Sequence, residues 1–169
     1  YGTPYPYPVL TVVDTPKDAA GADGMEYPTL VTASSRAFDP FLDRSAPEGI
    51  TLHELSHQVF QGIVANNEVE DPWLDEGLAG YLGWKTAVAA HARTGKQLVR
   101  APPYLKREHL LGLAQLTGAT AYPSGGAAGA AFYIEAELLV AAIARKIGDD
   151  KLADFVKAVV ADGVPYDEF

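Results

Sequence analysis

His53 and His57 stand four residues apart in His53-Glu54-Leu55-Ser56-His57. On a helix that spacing puts both side chains on one face, with Cβ atoms roughly 5–6 Å apart. Both imidazoles can then reach one zinc ion at about 2.0–2.1 Å. Glu54, between them, can aim a carboxylate at the metal's open position without ligating it. Glu76, in Trp73-Leu74-Asp75-Glu76-Gly77, offers a third ligand from further along the chain. A zinc held by two histidines and a glutamate, with one position left for water, is the arrangement of a metallopeptidase. The competing reading of the same residues is a solvated histidine pair on a helix surface.

The elements that must carry these residues are legible around them. Ser45-Ala46-Pro47-Glu48 reads as a helix start, with Pro47 in the first turn and Glu48 at the positive helix end. Leu52, Leu55, Val59, Phe60 and Ile63 recur at helical spacing, which predicts a helix over about 47–65 with one buried side. Asp71-Pro72 is an N-cap followed by proline at the first helical position, opening a second helix over 72–93 with an apolar stripe through Trp73, Leu74, Leu78, Tyr81 and Leu82. The loop from Ala65 to Glu70 is short, so the two helices must pack as neighbours and bring Glu76 to the first. Upstream, Tyr1 to Pro8 is extended and turn-rich. Val9 to Val13 is the clearest strand, and Met25 to Ser34 holds a second around Leu30-Val31-Thr32. Further helices are predicted at about 104–117, 125–147 and 150–161, with Gly95, Gly118, Gly148 and Gly163 as stops. Strands first and helices after make the fold α+β. A two-stranded sheet leaves an open edge, to be completed by other segments, by missing domains, by another chain or by self-association.

The stretch from His53 to Tyr81 resembles the zinc site of the M1 aminopeptidase family, a branch of the gluzincins. The family pattern is HExxH, eighteen residues, then Glu in a Trp-Leu-x-Glu-Gly segment, and eighteen residues separate His57 from Glu76 here. Gly24-Met25-Glu26-Tyr27-Pro28 is similar to the family's Gly-x-Met-Glu-Asn exopeptidase motif. Phe132-Tyr133-Ile134-Glu135-Ala136-Glu137-Leu138-Leu139 looks like the helix bearing the family's transition-state tyrosine. The resemblance covers about Tyr5 to Phe155 and implies a thermolysin-like zincin catalytic domain with one Zn2+ per chain and a peptide substrate. It also implies a single catalytic unit over 1–169, without the β-domain that precedes it and the helical domain that follows it in family members. The chain reads as a mature, processed or minimal piece.

What the resemblance implies for individual residues follows the motifs. His53, His57 and Glu76 would hold the metal, and zinc would activate a water and polarise the scissile carbonyl. Glu54 would be the general base and then return the proton to the leaving amine. Tyr133 would stabilise the oxyanion, with Tyr81 and Tyr122 as rivals and a packing tyrosine as the alternative. Glu26 would bind the substrate's free α-amine, with Gly24, Met25 and Tyr27 beside it on a strand that pairs with the peptide. Tyr27 replaces the usual asparagine, which bears on the first substrate pocket. Asp75 is placed to orient a histidine. His91 and His109 read as surface residues, and Glu135 and Glu137 either stand behind the site or are solvated. Three functions compete: an aminopeptidase, an endopeptidase with an open cleft, and a catalytically silent peptide-binding module.

Composition sets outer limits. A 169-residue chain is one domain of ordinary size, able to bury about 70% of its unfolded surface. The net charge of −9 argues against nucleic acid and anionic membranes as partners. The absence of cysteine excludes disulfides, thiolate metal sites and thiol catalysis. No apolar run is long enough to span a membrane, and nothing in the sequence fixes a compartment.

Overall fold

The computed structural model describes residues 5, 7–16, 19, 24–33, 46–64, 66–93 and 126–162. Within them the order is β1 (Thr11–Val13), β2 (Gly24–Met25), β3 (Leu30–Ala33), α1 (Ala46–His57), α2 (Pro72–Arg93), α3 (Gly126–Ile147) and α4 (Asp149–Asp162). The α+β class expected from the sequence is what the described residues form. The helix expected at 104–117 lies outside them. So do Tyr122, His109 and the stops at Gly95, Gly118 and Gly163.

The sheet has three strands, not two, in the order β1-β3-β2. β1 runs parallel to β3, with Thr11 opposite Leu30 and Val13 opposite Thr32. β2 runs antiparallel, with Met25 opposite Thr32 and Gly24 opposite Ala33. The strand expected around Leu30-Val31-Thr32 is β3; β2 and a turn precede it. Leu30 N–H donates to the Tyr27 carbonyl at 3.0 Å, and Thr29 turns the chain at φ +64°. β3 is central and alternates: Val31 and Ala33 are buried against α1, as a one-sided sheet requires.

α1 ends at His57, eight residues short of the 65 expected from periodicity. Gln61 takes φ +82°, a left-handed conformation that a helix cannot contain. Gly62 follows it so close to the Gln58 carbonyl that a Cβ would stand 2.7 Å from that oxygen. Phe60 and Ile63 are buried all the same, because the turns of 58–64 also face the core. Helical spacing there recorded burial, not helix.

α2 is the middle layer, with α1 on one side and α3 on the other. Two glycines let it approach both. A Cβ at Gly83 would stand 3.2 Å from the backbone of Leu52 and His53, and one at Gly77 would stand 2.7 Å from the Ala136 carbonyl. Phe60, Leu78, Tyr81, Leu82, Val140, Leu152 and Val156 form the main core, joining the turns after α1 to α2, α3 and α4. Gly148, at φ +94°, stops α3 as expected. No helix among the described residues is long and apolar enough to cross a membrane.

Candidate metal centre and active-site cleft

Three ligand atoms converge where α1 meets α2. His53 Nε2 lies 3.1 Å from His57 Nε2, Glu76 Oε2 lies 2.9 Å from His53 Nε2, and it lies 3.4 Å from His57 Nε2. Four atoms placed tetrahedrally about a zinc at 2.0–2.1 Å stand about 3.3 Å from one another, so the spacing of this donor set fits that ion. The convergence is a product of packing. His53 and His57 share a face of α1, Glu76 is in the second turn of α2, and Gly83 draws the two helices together one layer further along.

The centre is supported from behind. His57, 1% exposed, donates its Nδ1–H to Asp75 Oδ1 at 3.0 Å, which leaves the Nε2 lone pair pointing at the other ligands. Burial opposes charge on His57, but its bonds to Asp75 and Glu76 outweigh that and raise its proton affinity well above that of a free imidazole. Burial likewise works to raise the pKa of Glu76, yet the two histidines prevail and hold it down at about 2. The glutamate is thus an anion throughout the working pH range, as a ligand must be.

A cleft of about 650 Å³ opens in front of these atoms. Its wall is built from β2 and the following turn (Gly24, Met25, Glu26), from α1 (Gly49, Ile50, Glu54), from the α1–α2 loop (Glu68, Val69) and from α3 (Tyr133, Ile134, Glu137). Glu54 is 6% exposed. Burial, with Glu26 and Glu76 nearby, pushes its pKa up to about 7 against the opposing pull of His53 and His57. Gly24 stands so near that a Cβ there would collide with the Glu54 Oε1 atom. Any larger residue there would force the Glu54 carboxylate to shift.

The remaining expected residues divide. Tyr133 is in the cleft, its ring centroid 6.1 Å from that of His53; burial and the Glu76, Glu26 and Glu54 carboxylates raise its phenol well above the ordinary value. Tyr81 is elsewhere. It sits in the core and donates to Asp149 Oδ1 at 2.9 Å, and burial together with that bond pushes it up to about 12. Tyr27 is 54% exposed and does not line the cleft, because the turn that contains it directs the chain away. His91 bonds Glu48 at 2.9 Å, tying the end of α2 to the start of α1 on the surface.

Two residues entered the site without a sequence signal. Gln58, 1% exposed, donates Nε2 to the Tyr27 carbonyl at 3.1 Å and to the Glu26 carbonyl at 3.4 Å. Its Oε1 accepts the Thr29 N–H at 2.8 Å. One side chain thus fastens the turn that presents Glu26 to the end of the helix that presents His57. Adjacency to His57 was the one clue, and it does not distinguish a buried amide from a surface one. Glu68 was read only as part of a connector, and it lines the cleft.

Comparison with known proteins places this arrangement. The profile of the Peptidase family M1 domain matches residues 1–163. The chain is 39% identical over 88 residues to Aminopeptidase N of Homo sapiens, a match covering 48% of this chain and 9% of that protein. It is 38% identical over 90 residues to Aminopeptidase M1-B of Oryza sativa subsp. japonica, covering 50% and 10%. It is 37% identical over 84 residues to Endoplasmic reticulum aminopeptidase 2 of Bos taurus, covering 46% and 9%. The matched stretch thus spans about a tenth of the length of these relatives. No solved structure matches significantly.

Proposed function

The chain belongs to peptidase family M1, a metallopeptidase family, and from that premise we propose that it is a zinc-dependent aminopeptidase of thermolysin-like fold. His53, His57 and Glu76 would hold the ion. The observation that carries this reading is the convergence of two imidazole nitrogens and one carboxylate oxygen, 2.9–3.4 Å apart, at the floor of a 650 Å³ cleft.

When bound, zinc supplies a Lewis acid that activates water and polarises the scissile carbonyl. Glu54 takes a proton from the attacking water and passes it to the amine as the carbon–nitrogen bond breaks. A pKa near 7 suits a carboxylate that must both accept and return a proton. Tyr133 keeps its phenol proton and donates a hydrogen bond to the oxygen that becomes negative in the tetrahedral state. Asp75 fixes the ring of His57 and its tautomer. Glu26 faces the substrate's free amine. β2, an edge strand among the described residues that also lines the cleft, would pair its outer side with an extended peptide.

Metal analysis of the purified chain tests the first half, with about one zinc per chain expected. Hydrolysis of a free-amine peptide amide, against its N-acetylated form, tests the second. Preference for the free amine supports the aminopeptidase. Equal cleavage of both would make it an endopeptidase with an open cleft, and zinc binding with cleavage of neither would make it a peptide-binding module.

A further inference from the structure

We propose that Gly49 sets which peptides the cleft takes: the bare turn it leaves on α1 admits a large apolar side chain on the residue that follows the scissile bond. The proposal rests on the aminopeptidase reading, in which Glu26 faces the amine, and deepens it by naming the class of substrate.

Three glycines line the cleft: Gly24, Gly49 and Gly80. Two have a reason within the protein. A Cβ at Gly24 would collide with the Glu54 carboxylate, and one at Gly80 would meet the Glu137 side chain at 3.4 Å. At Gly49 a Cβ would meet nothing within 4 Å among the described residues. The backbone does not ask for glycine there either. Gly49 lies inside α1, and of the described glycines Gly148 alone has a positive φ. Glycine weakens a helix relative to alanine, so neither packing nor helix formation accounts for this residue. What the missing side chain leaves is room, and the room opens on the cleft.

The cleft has a direction, and it puts Gly49 on the leaving side. Ligand atoms of Glu26 and His57 lie within 4.8 Å of one another, so an amine facing Glu26 is held at the C-terminal end of α1. Gly24, two residues earlier, lies against Glu54 and Ile50; a Cβ there would stand 3.3 Å from Ile50 Cγ2. A peptide lying along β2 with its amine at Glu26 therefore passes the metal ligands and continues toward Ile50 and Gly49. Gly49 is four residues before His53, about 6 Å along the helix, whereas an extended peptide advances about 3.3 Å per residue. The methyl group of an alanine just past the bond falls short of that turn. An aromatic or long aliphatic side chain reaches it, and apolar surface buried against Ile50 favours its binding. A branched side chain at position 49 would fill the space itself.

The test is hydrolysis of leucyl dipeptide amides by the zinc-loaded chain, unmutated and carrying Gly49→Ala or Gly49→Leu. The second residue of the peptide is alanine, leucine or phenylalanine. In the unmutated chain kcat/KM should rise roughly tenfold from alanine to phenylalanine, within the range one apolar pocket discriminates. Gly49→Leu should abolish that preference, and Gly49→Ala should reduce it about threefold, the effect of one methyl group. Gly49→Ala should also raise Tm, because the methyl group meets nothing and favours the helix; lost preference is then not lost fold. A flat series in the unmutated chain overturns the proposal. So does an equal loss for all three peptides in Gly49→Leu, which would mark the residue as structural. A loss that instead follows the size of the first residue, read from Ala-Phe against Leu-Phe amide, overturns it too, since the space would lie on the amine side. Calorimetry of the same amides with the zinc-loaded Glu54→Gln chain separates this inference from the reading beneath it. Binding graded by the second residue and dependent on position 49, in a chain that cleaves no peptide, would sink the peptidase reading alone. Cleavage with no dependence on position 49 would sink this inference alone, and neither cleavage nor graded binding would sink both.

Discussion

The two walls of the cleft are built on different principles. On one, His53, His57, Asp75 and Glu76 belong to two helices pressed together through Gly83, and three of the four are nearly inaccessible. His57 is fixed both by helix backbone and by a second side chain, Asp75. On the other, Glu26 and Glu68 project from a tight turn and a short loop, with Met25 and Tyr27 exposed beside them. That wall is fastened largely by the amide of Gln58. A metal needs fixed distances, which helix packing provides. A substrate needs an open strand edge and charges that water can leave, which only a less buried wall can offer.

Substitutions separate the walls. The largest effect belongs where they meet: Glu54→Gln should lower turnover by 10²–10⁴ or so while metal analysis still finds about one zinc per chain. Tyr133→Phe, across the cleft on α3, should lower kcat roughly 10²–10³-fold with little change in KM. Gly24→Ala drives a methyl group into the Glu54 carboxylate. It should cost about 10² in kcat, with circular dichroism and metal content unchanged; retention of full activity would mean the strand edge yields freely.

The next two act on one wall each. Asp75→Asn should weaken zinc about 10–100-fold in a competition titration with a chelator, because the amide can place its NH2 against the ring and favour the wrong tautomer. Gln58→Ala should spare zinc affinity. It leaves the Thr29 N–H without its partner and the Tyr27 carbonyl with only the Leu30 N–H, a loss of about 1–3 kcal/mol seen as a lower Tm, and it should raise KM several-fold as Glu26 loses its anchorage. If Gln58→Ala also released zinc, the two walls would be one unit and the contrast would fail.

The active-site wall was the more legible of the two. A period of four and a proline at the first turn of α2 put His53, His57 and Glu76 on the right elements, since each is a local rule; the six-residue connector expected between the helices is instead the longer stretch of turns from 58 to 71. Asp75 was legible as a neighbour of Glu76, though not the ring nitrogen it holds. The end of α1 was not legible. Phe60 and Ile63 keep helical spacing beyond His57 because the core selects for burial whatever the backbone does, and only the left-handed Gln61 shows that the helix has stopped. The third strand was also hidden, since β2 is two residues long and gains its identity from pairing with β3.

The sequence by itself determined the chemistry: which side chains could hold a metal, which carboxylate could move a proton, and that no thiol or disulfide takes part. Those depend on residue type and on distances of a few residues, which a helix converts directly into space. The tertiary structure decided everything that requires two distant segments to meet. It put Gly24 against Glu54, gave Gln58 the turn of Glu26, sent Tyr81 to Asp149 and Tyr133 to the cleft, and turned Glu68 from a loop residue into a lining one. Polar side chains in turns and loops carry no periodic signal, so their partners are chosen by the packing of layers, which no local rule contains.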